Sequence, residues 1–157
     1  MEKTNVMRIL EQKKISYSAH AYDSSVTEGT KVAALLGEEK ERVFKTLVTE
    51  SNAKDHFVFV IPVAESLDLK KAAKSVGAKS IAMIKQKELL PLTGYIHGGC
   101  SPVGMKKQFK TVMDETAQLY DTIFVSAGKV GYQVEVSPTA LSDLVGADFA
   151  DIIDMTH

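Results

Sequence analysis

The sequence predicts a mixed α+β fold, and three observations carry that expectation. Helical and extended segments are interspersed, most extended segments are joined by short polar or glycine-containing turns, and no regular strand-helix-strand winding runs along the chain. With 157 residues the chain suits a single domain, 1–157, with a substantial core.

The first element is an amphipathic helix: Thr4 is a capping residue, and Val6, Ile9 and Leu10 recur at helical spacing up to Lys14. Ile15 to Tyr22 reads as extended. A second helix begins near Thr27, places Val32, Leu35 and Leu36 on one face and stops at Gly37. Val43 to Thr49 and His56 to Ile61 are strands, joined into a hairpin by the polar run from Ser51 to Asp55 and ended by Pro62. Leu69, Ala72, Ala73 and Val76 then share one face of a third helix that Gly77 terminates. Ser80 to Ile84 is a short strand and Gln86 to Leu90 a helical turn. After the glycine-rich stretch from Gly94 to Gly104, strands are expected near Gln108 to Met113, Thr122 to Ser126 and Gln133 to Val136, the last two forming a second hairpin. Ser137-Pro138 sets a capping hydroxyl before a first-turn proline, opening a helix through Leu141, Leu144 and Val145 that Gly146 ends.

Composition removes several classes of function. Hydrophobic residues make up 45% and charged residues 25%, as in ordinary globular proteins, so no disordered tail or linker is expected. The first residues lack an apolar signal core, and no run approaches the roughly 20 apolar residues of a membrane span, which points to the cytoplasm and away from membranes. The single cysteine, Cys100, permits no internal disulfide and no multi-thiolate zinc site. The four histidines lack HxH, HExxH or CxxC spacing, so neither a metal nor another cofactor is expected. A net charge of −1 gives no general affinity for nucleic acid, so DNA is not an expected partner and any RNA contact must be local. Lysines gather at Lys13-Lys14, at Lys70, Lys71 and Lys74, and at Lys106, Lys107 and Lys110; each cluster alone reads as solvated surface.

The best local candidate for chemistry is the stretch Gly94 to Gly104, whose four glycines and one proline allow close approach of backbone to a ligand. It matches neither the phosphate-binding GxxxxGK[ST] loop nor a dinucleotide fingerprint after a strand. Cys100 stands three residues from His97, yet a nucleophilic pair also needs spatial proximity and an orienting third group; a small buried thiol is the simpler reading. No GxSxG elbow surrounds Ser101. Lys45 lies in the strand-like run Val43 to Val48 and shares the face of Leu47, where it could meet a phosphate or carbonyl or extend to solvent from an edge. The turn from Ser126 to Gly131 could offer a hydroxyl and amides to an anion or serve as an ordinary hairpin loop.

In combination and order, Val43-Phe44-Lys45-Thr46-Leu47, Leu67-Asp68-Leu69-Lys70-Lys71-Ala72-Ala73, Gly94 to Gly104 and Val125-Ser126-Ala127-Gly128-Lys129 resemble the YbaK/EbsC family. These are freestanding Cys-tRNA(Pro)/Cys-tRNA(Cys) deacylases related to the editing domain of bacterial prolyl-tRNA synthetases. The resemblance runs from Lys14-Ile15-Ser16 to Phe149-Ala150-Asp151-Ile152. It implies a mixed sheet, partly closed into a barrel and flanked by helices, with a pocket for the aminoacylated tRNA end. It implies that Lys45 is the site lysine near the terminal adenosine phosphate and the ester, with Thr46 beside it. Gly98, Gly99, Cys100, Ser101 and Pro102 match the family's GxxxP loop around the aminoacyl group. Ser126 matches a pocket hydroxyl, Tyr22 an aromatic at the entrance, and Gln133 a polar position often held by Asp in relatives. The chain departs from the pattern in a shorter segment from Asp23 to Thr30 that lacks an aromatic, and in Cys100, which replaces an aliphatic residue.

The function the resemblance implies is removal of cysteine from mischarged Cys-tRNA(Pro) without a protein nucleophile, the substrate thiol attacking its own ester. The amides of Gly98, Gly99 and Cys100 would receive the oxyanion. The implied partners are the 3′ end of tRNA(Pro) and prolyl-tRNA synthetase, which would supply tRNA selectivity. The alternatives are a deacylase for Ala or another small amino acid using an oriented water, and a non-catalytic module holding aminoacyl-tRNA or a synthetase.

Overall fold

The computed structural model describes residues 1–155. Helix α1 spans Asn5–Gln12; the Thr4 hydroxyl accepts from the Met7 amide at 3.3 Å, and Val6, Met7 and Leu10 form the buried face. Strand β1 (Tyr17–Ala21) leads to helix α2 (Gly29–Leu36), which starts later than Thr27 and ends on left-handed Gly37. Gly29 is needed where it stands, because a Cβ there would lie 2.5 Å from Val63 Cβ. Strands β2 (Phe44–Ser51) and β3 (His56–Pro62) form the expected hairpin, with Lys45 opposite Ile61. Helix α3 (Leu69–Val76) is capped by Asp68, whose carboxylate accepts from the Lys70 and Lys71 amides at 3.0 Å. Strand β4 (Ile81–Met83) follows.

Helix α4 (Gln86–Thr93) is longer than the turn expected from Gln86 to Leu90. Pro91 lacks an N–H and would be expected to end the helix. The last turn survives because the Thr93 hydroxyl donates to Leu89 O at 2.7 Å and the Gly94 amide to Leu90 O at 2.9 Å. Strands β5 (Lys110–Asp114), β6 (Ile123–Ser126) and β7 (Tyr132–Val136) lie where the sequence places them. Helix α5 (Pro138–Val145) is capped by Ser137 and stopped by Gly146. The last strand, β8 (Asp148–Ala150), is too short to show an alternating pattern and was not expected.

Among the described residues the strands form two sheets, one of order β1-β7-β6 and one of order β4-β2-β3-β5-β8. The first is antiparallel; in the second, β3 pairs with β5 and β5 with β8 in parallel. A parallel bridge from Val43 to Phe124 joins the sheets, so β6 leads round into β2 and the arrangement is partly closed. β4 pairs only with the far end of β2, from Thr49 to Ser51. The edge of β2 near Phe44 therefore has neither sheet neighbour along it.

Two main core clusters fill the molecule, and the first is shared, since Phe44, Val60 and Met113 of the large sheet also join it. Val6, Leu10, Ile123, Val125, Val134, Val136 and Leu141 pack the small sheet against α1 and α5, whereas Phe59, Ile61, Val112, Ala72 and Ala73 pack the large sheet against α3. The sheet junction is held by charge. Glu135 on β7 accepts from the Thr122 hydroxyl at 2.6 Å and lies 3.3 Å from Arg42 Nη2 and 3.2 Å from His20 Nε2. Arg42 also donates to Thr122 O and lies over the Phe124 ring, fixing the 3-10 turn Lys40–Arg42 just before β2.

Fully buried Asp114, at the end of β5, accepts from the Ile152 amide at 3.1 Å and from the Thr116 amide and hydroxyl at 3.2 and 2.5 Å. Asp114→Ala orphans the Ile152 amide and should lower the unfolding free energy by about 3 kcal/mol in urea titrations, the scale of hydrogen bonds to a buried carboxylate. The Thr122 hydroxyl, with help from His20 and Arg42, holds the Glu135 carboxyl below the usual carboxylate range. A folded-state value below the unfolded one stabilises at neutral pH, and that contribution disappears as pH falls through the folded value. Glu135→Gln should therefore lose less stability than the wild type between about pH 5 and pH 3, measured by parallel denaturant melts.

Candidate functional site

A cavity of about 640 Å³ opens beside the unpaired start of β2. Its size lies within the roughly 300–1,000 Å³ of pockets that take whole small molecules. One wall is Val43 and the start of β2, from Phe44 to Leu47; another is formed by Ser126 at the end of β6 and Gln133 on β7. The start of α2, the 97–100 loop and Tyr22 complete the rim.

Seven of the residues singled out in the sequence meet here: Tyr22, Lys45, Thr46, Gly98, Cys100, Ser126 and Gln133. Gly99, Ser101 and Pro102 lie behind the wall instead, all three buried. The Gly99 amide donates to Ile96 O at 3.0 Å, so of the three loop amides it is already engaged. No hydrogen bond within the described residues engages the amides of Gly98 or Cys100. Gly99 also packs against backbone: a Cβ there would stand 3.1 Å from the Val130 amide nitrogen. Ser101 Oγ accepts from the Val103 amide at 3.2 Å and acts within the loop.

Sequence patterns did not reveal Thr30, Lys40, Val63 or Leu89 as lining residues. Only Gly29 left a signal: a glycine in a helical first turn marks a close approach, here to Val63.

Two polar atoms give the cavity its chemical character. Thr46 Oγ1 and Gln133 Oε1 are shut off from solvent and have no hydrogen-bond partner among the described residues, and Gln133 as a whole is only 6% exposed. Unpaired buried polar atoms cost about 1–3 kcal/mol each and persist where a ligand supplies the missing partner. Lys45 is half-buried in the same wall. Burial lowers its pKa, partly offset by the negative charge of Glu65, so its ammonium is less well solvated than a surface lysine and more available to an incoming anion or carbonyl.

Neither the thiol of Cys100 nor the hydroxyl of Ser126 is an activated nucleophile. Burial pushes the Cys100 thiol up to about 12, leaving it neutral at physiological pH. His97 lines the cavity from an exposed position, and no hydrogen bond within the described residues links it to Cys100. Ser126 Oγ accepts from the Gly128 amide at 3.1 Å, an arrangement that shapes the turn without a base to remove its proton. Among the described residues no group of three or more His, Cys, Asp or Glu side chains could hold a metal ion, and no helix is long and apolar enough to cross a membrane. The lysine clusters are scattered: Lys71 pairs with Asp151 at 3.0 Å and Lys110 with Asp148 at 3.2 Å.

Residues 24–144 match the model of the aminoacyl-tRNA editing domain. Over 153 residues the chain is 49% identical to EbsC of Enterococcus faecalis, a protein named as a candidate Cys-tRNA(Pro)/Cys-tRNA(Cys) deacylase, covering 96% of this chain and 93% of that one. A crystal structure of a hypothetical protein superposes with a TM-score of 0.88 at 25% identity, covering 98% of this chain and all (100%) of the other. Another, of a candidate trans-editing enzyme for prolyl-tRNA synthetase, gives 0.82 at 24% identity over 95% of this chain and 96% of that one, a likeness of fold.

The thiol supplies a direct check on this site. With its pKa raised by burial, Cys100 should react with a thiol reagent at pH 8 at least about a hundredfold more slowly in the native protein than in urea. Equal rates would place an accessible thiolate in the cavity.

Proposed function

The chain belongs to the aminoacyl-tRNA editing domain family, and from that premise we propose that it is a cytoplasmic trans-editing deacylase that removes cysteine from mischarged Cys-tRNA(Pro). The single observation that carries this reading is the pairing of two solvent-excluded polar atoms with no partner among the described residues, Thr46 Oγ1 and Gln133 Oε1, with a cavity whose thiol and Ser126 hydroxyl are not activated. Such a site binds a polar ligand tightly and leaves the bond-making to the ligand.

Cysteine attached to a ribose carries its own nucleophile. Its sulfur attacks the ester carbonyl carbon, a C–S bond forms, and the bond from that carbon to the ribose oxygen breaks. The thiol proton is lost to solvent and the ribose oxygen takes one up, so the products are deacylated tRNA and a cyclic thiolactone that water later opens to cysteine. The protein contributes position, and effective molarities for oriented intramolecular attack reach roughly 10⁵ M or more. In this reading Lys45 holds the terminal phosphate and faces the developing oxyanion, assisted by the amides of Gly98 and Cys100. Gln133 Oε1 accepts from the substrate's α-ammonium, Thr46 and Ser126 bound the aminoacyl group, and Tyr22 lies at the entrance. Gly99, Ser101 and Pro102 shape the loop from behind. The cavity takes only the acceptor end, so selection of tRNA(Pro) falls to prolyl-tRNA synthetase bound alongside.

A water-based deacylase for alanine or serine is the second reading, favoured by the place of Cys100 on the wall, where it changes a position otherwise aliphatic. Near-isosteric substrates differ by only about 10- to 200-fold in an apolar pocket, so the assay must compare them directly. Purified protein is expected to deacylate Cys-tRNA(Pro) rapidly and Ala-tRNA(Pro) and Ser-tRNA(Pro) slowly, and Lys45→Ala to slow the cysteine reaction by about a hundredfold, the loss typical of one oxyanion contact. Equal rates on alanine or serine would assign the attack to water; no turnover of any substrate would leave a binding role.

A further inference from the structure

The loop that lines the cavity with Gly98 and Cys100 has little regular structure, so something must hold it in place. It begins at Tyr95, immediately after left-handed Gly94 caps α4, and returns toward β5 beyond Val103. The Tyr95 amide donates to Thr93 Oγ1 at 3.0 Å, and the Tyr95 hydroxyl donates to Val103 O. Val103 is thus held at both backbone groups, its amide by Ser101 and its carbonyl by Tyr95. The Lys106 amide closes the base of the loop on Thr93 O at 3.0 Å.

The ring does a second job. It packs against the core cluster that contains Val6, Val103 and Ala127 and also against the cluster of Val48, Met105 and Phe109. Two glycines make room for it. A Cβ on Gly104 would stand 3.0 Å from the Tyr95 hydroxyl oxygen, and one on Gly128 would stand 3.1 Å from its Cε1 atom; both glycines have positive φ. Gly128 belongs to the turn that follows Ser126, so one side chain touches both the 96–103 loop and the turn beside the Ser126 wall.

We propose that Tyr95 is a positioning residue: its hydroxyl bond to Val103 O ties the two ends of the site loop, and its ring sets that loop against the Ser126 turn, fixing where Gly98 and Cys100 line the cavity. It touches no substrate itself. The inference rests on the deacylase reading for its kinetic part and on geometry alone for its structural part.

Tyr95→Phe keeps the ring in its slot and removes only the bond to Val103. Two measurements are made on the full chain: kcat and KM for Cys-tRNA(Pro), and hydrogen exchange resolved at the 96–103 amides and in β3. Expected are a fall in kcat of about tenfold with KM changed less than about twofold, and exchange of the Gly99 amide about tenfold faster with β3 unchanged, the scale of one lost buried hydrogen bond. Unchanged loop exchange would overturn the proposal. So would faster exchange throughout, β3 included, because the residue would then hold the fold and not the loop. Faster loop exchange with unaltered kcat would overturn its role in positioning the chemistry. If the wild type deacylates nothing while Tyr95→Phe still frees the loop alone, the brace stands and the deacylase reading fails.

Discussion

The structure depends on an incomplete pairing: β2 has a full partner in β3 along one side but no continuous partner along the other. β4 takes the far end, from Thr49 to Ser51, and β6 is bridged only at Val43–Phe124, just before β2 begins, among the described residues. A strand edge left open inside a protein exposes polar backbone and must be either covered or used. Here the gap is the cavity. The Glu135, Arg42 and Thr122 cluster sets its width, because it fixes the turn before β2 against β6 and β7. The large sheet, α3 and the core around Phe59 and Ile61 keep the other side of the gap rigid.

Into that gap the chain places polar groups that no described neighbour satisfies, beside a thiol that burial keeps unreactive. Thr46 and Gln133 present orphan oxygens, Lys45 presents a poorly solvated cation, and the lone thiol is kept neutral by burial. Low solvent access strengthens each of these fields and leaves chemical reactivity to whatever enters. A site built this way discriminates by what the ligand brings with it. That logic suits editing, where a correct aminoacyl group must leave intact.

Much of the fold could be read from residue pattern. Thr4, Asp68 and Ser137 cap helices, and Gly37, Gly77 and Gly146 stop them, because caps and left-handed stops are local chemistry written in adjacent residues. β8 and the second half of α4 escaped because their cause is distant: three residues of β8 are extended by pairing with β5, and Pro91 is tolerated because Thr93 and Gly94 complete the turn. The parallel pairings were hidden for the same reason. At the site, local pattern marked Lys45 and the Ser126 turn with two readings each and only the ordered motifs chose between them, since nothing local separates a lysine in a cavity from one on an edge; Gln133 came from the resemblance alone. Thr30, Lys40 and Leu89 carry no motif, and only the fold brings them to the wall.

The parallel arrangement at the centre of the large sheet also governs how the protein is made. Phe57 pairs with Lys110 and Val112 with Asp148, while the hairpin of β2 and β3 can close as soon as residue 62 is available. On a ribosome the hairpin therefore waits with its Val58 and Val60 edge unpaired while the chain to β5 is synthesised, and the carboxylate of Asp114 waits longer still for the Ile152 amide. Pairings so far apart in sequence form slowly and leave a sticky strand edge exposed meanwhile. The interval between synthesis of β3 and arrival of β5 is then the period in which the nascent chain is most open to misassociation, and in which slowing of translation or chaperone binding would have its largest effect on yield.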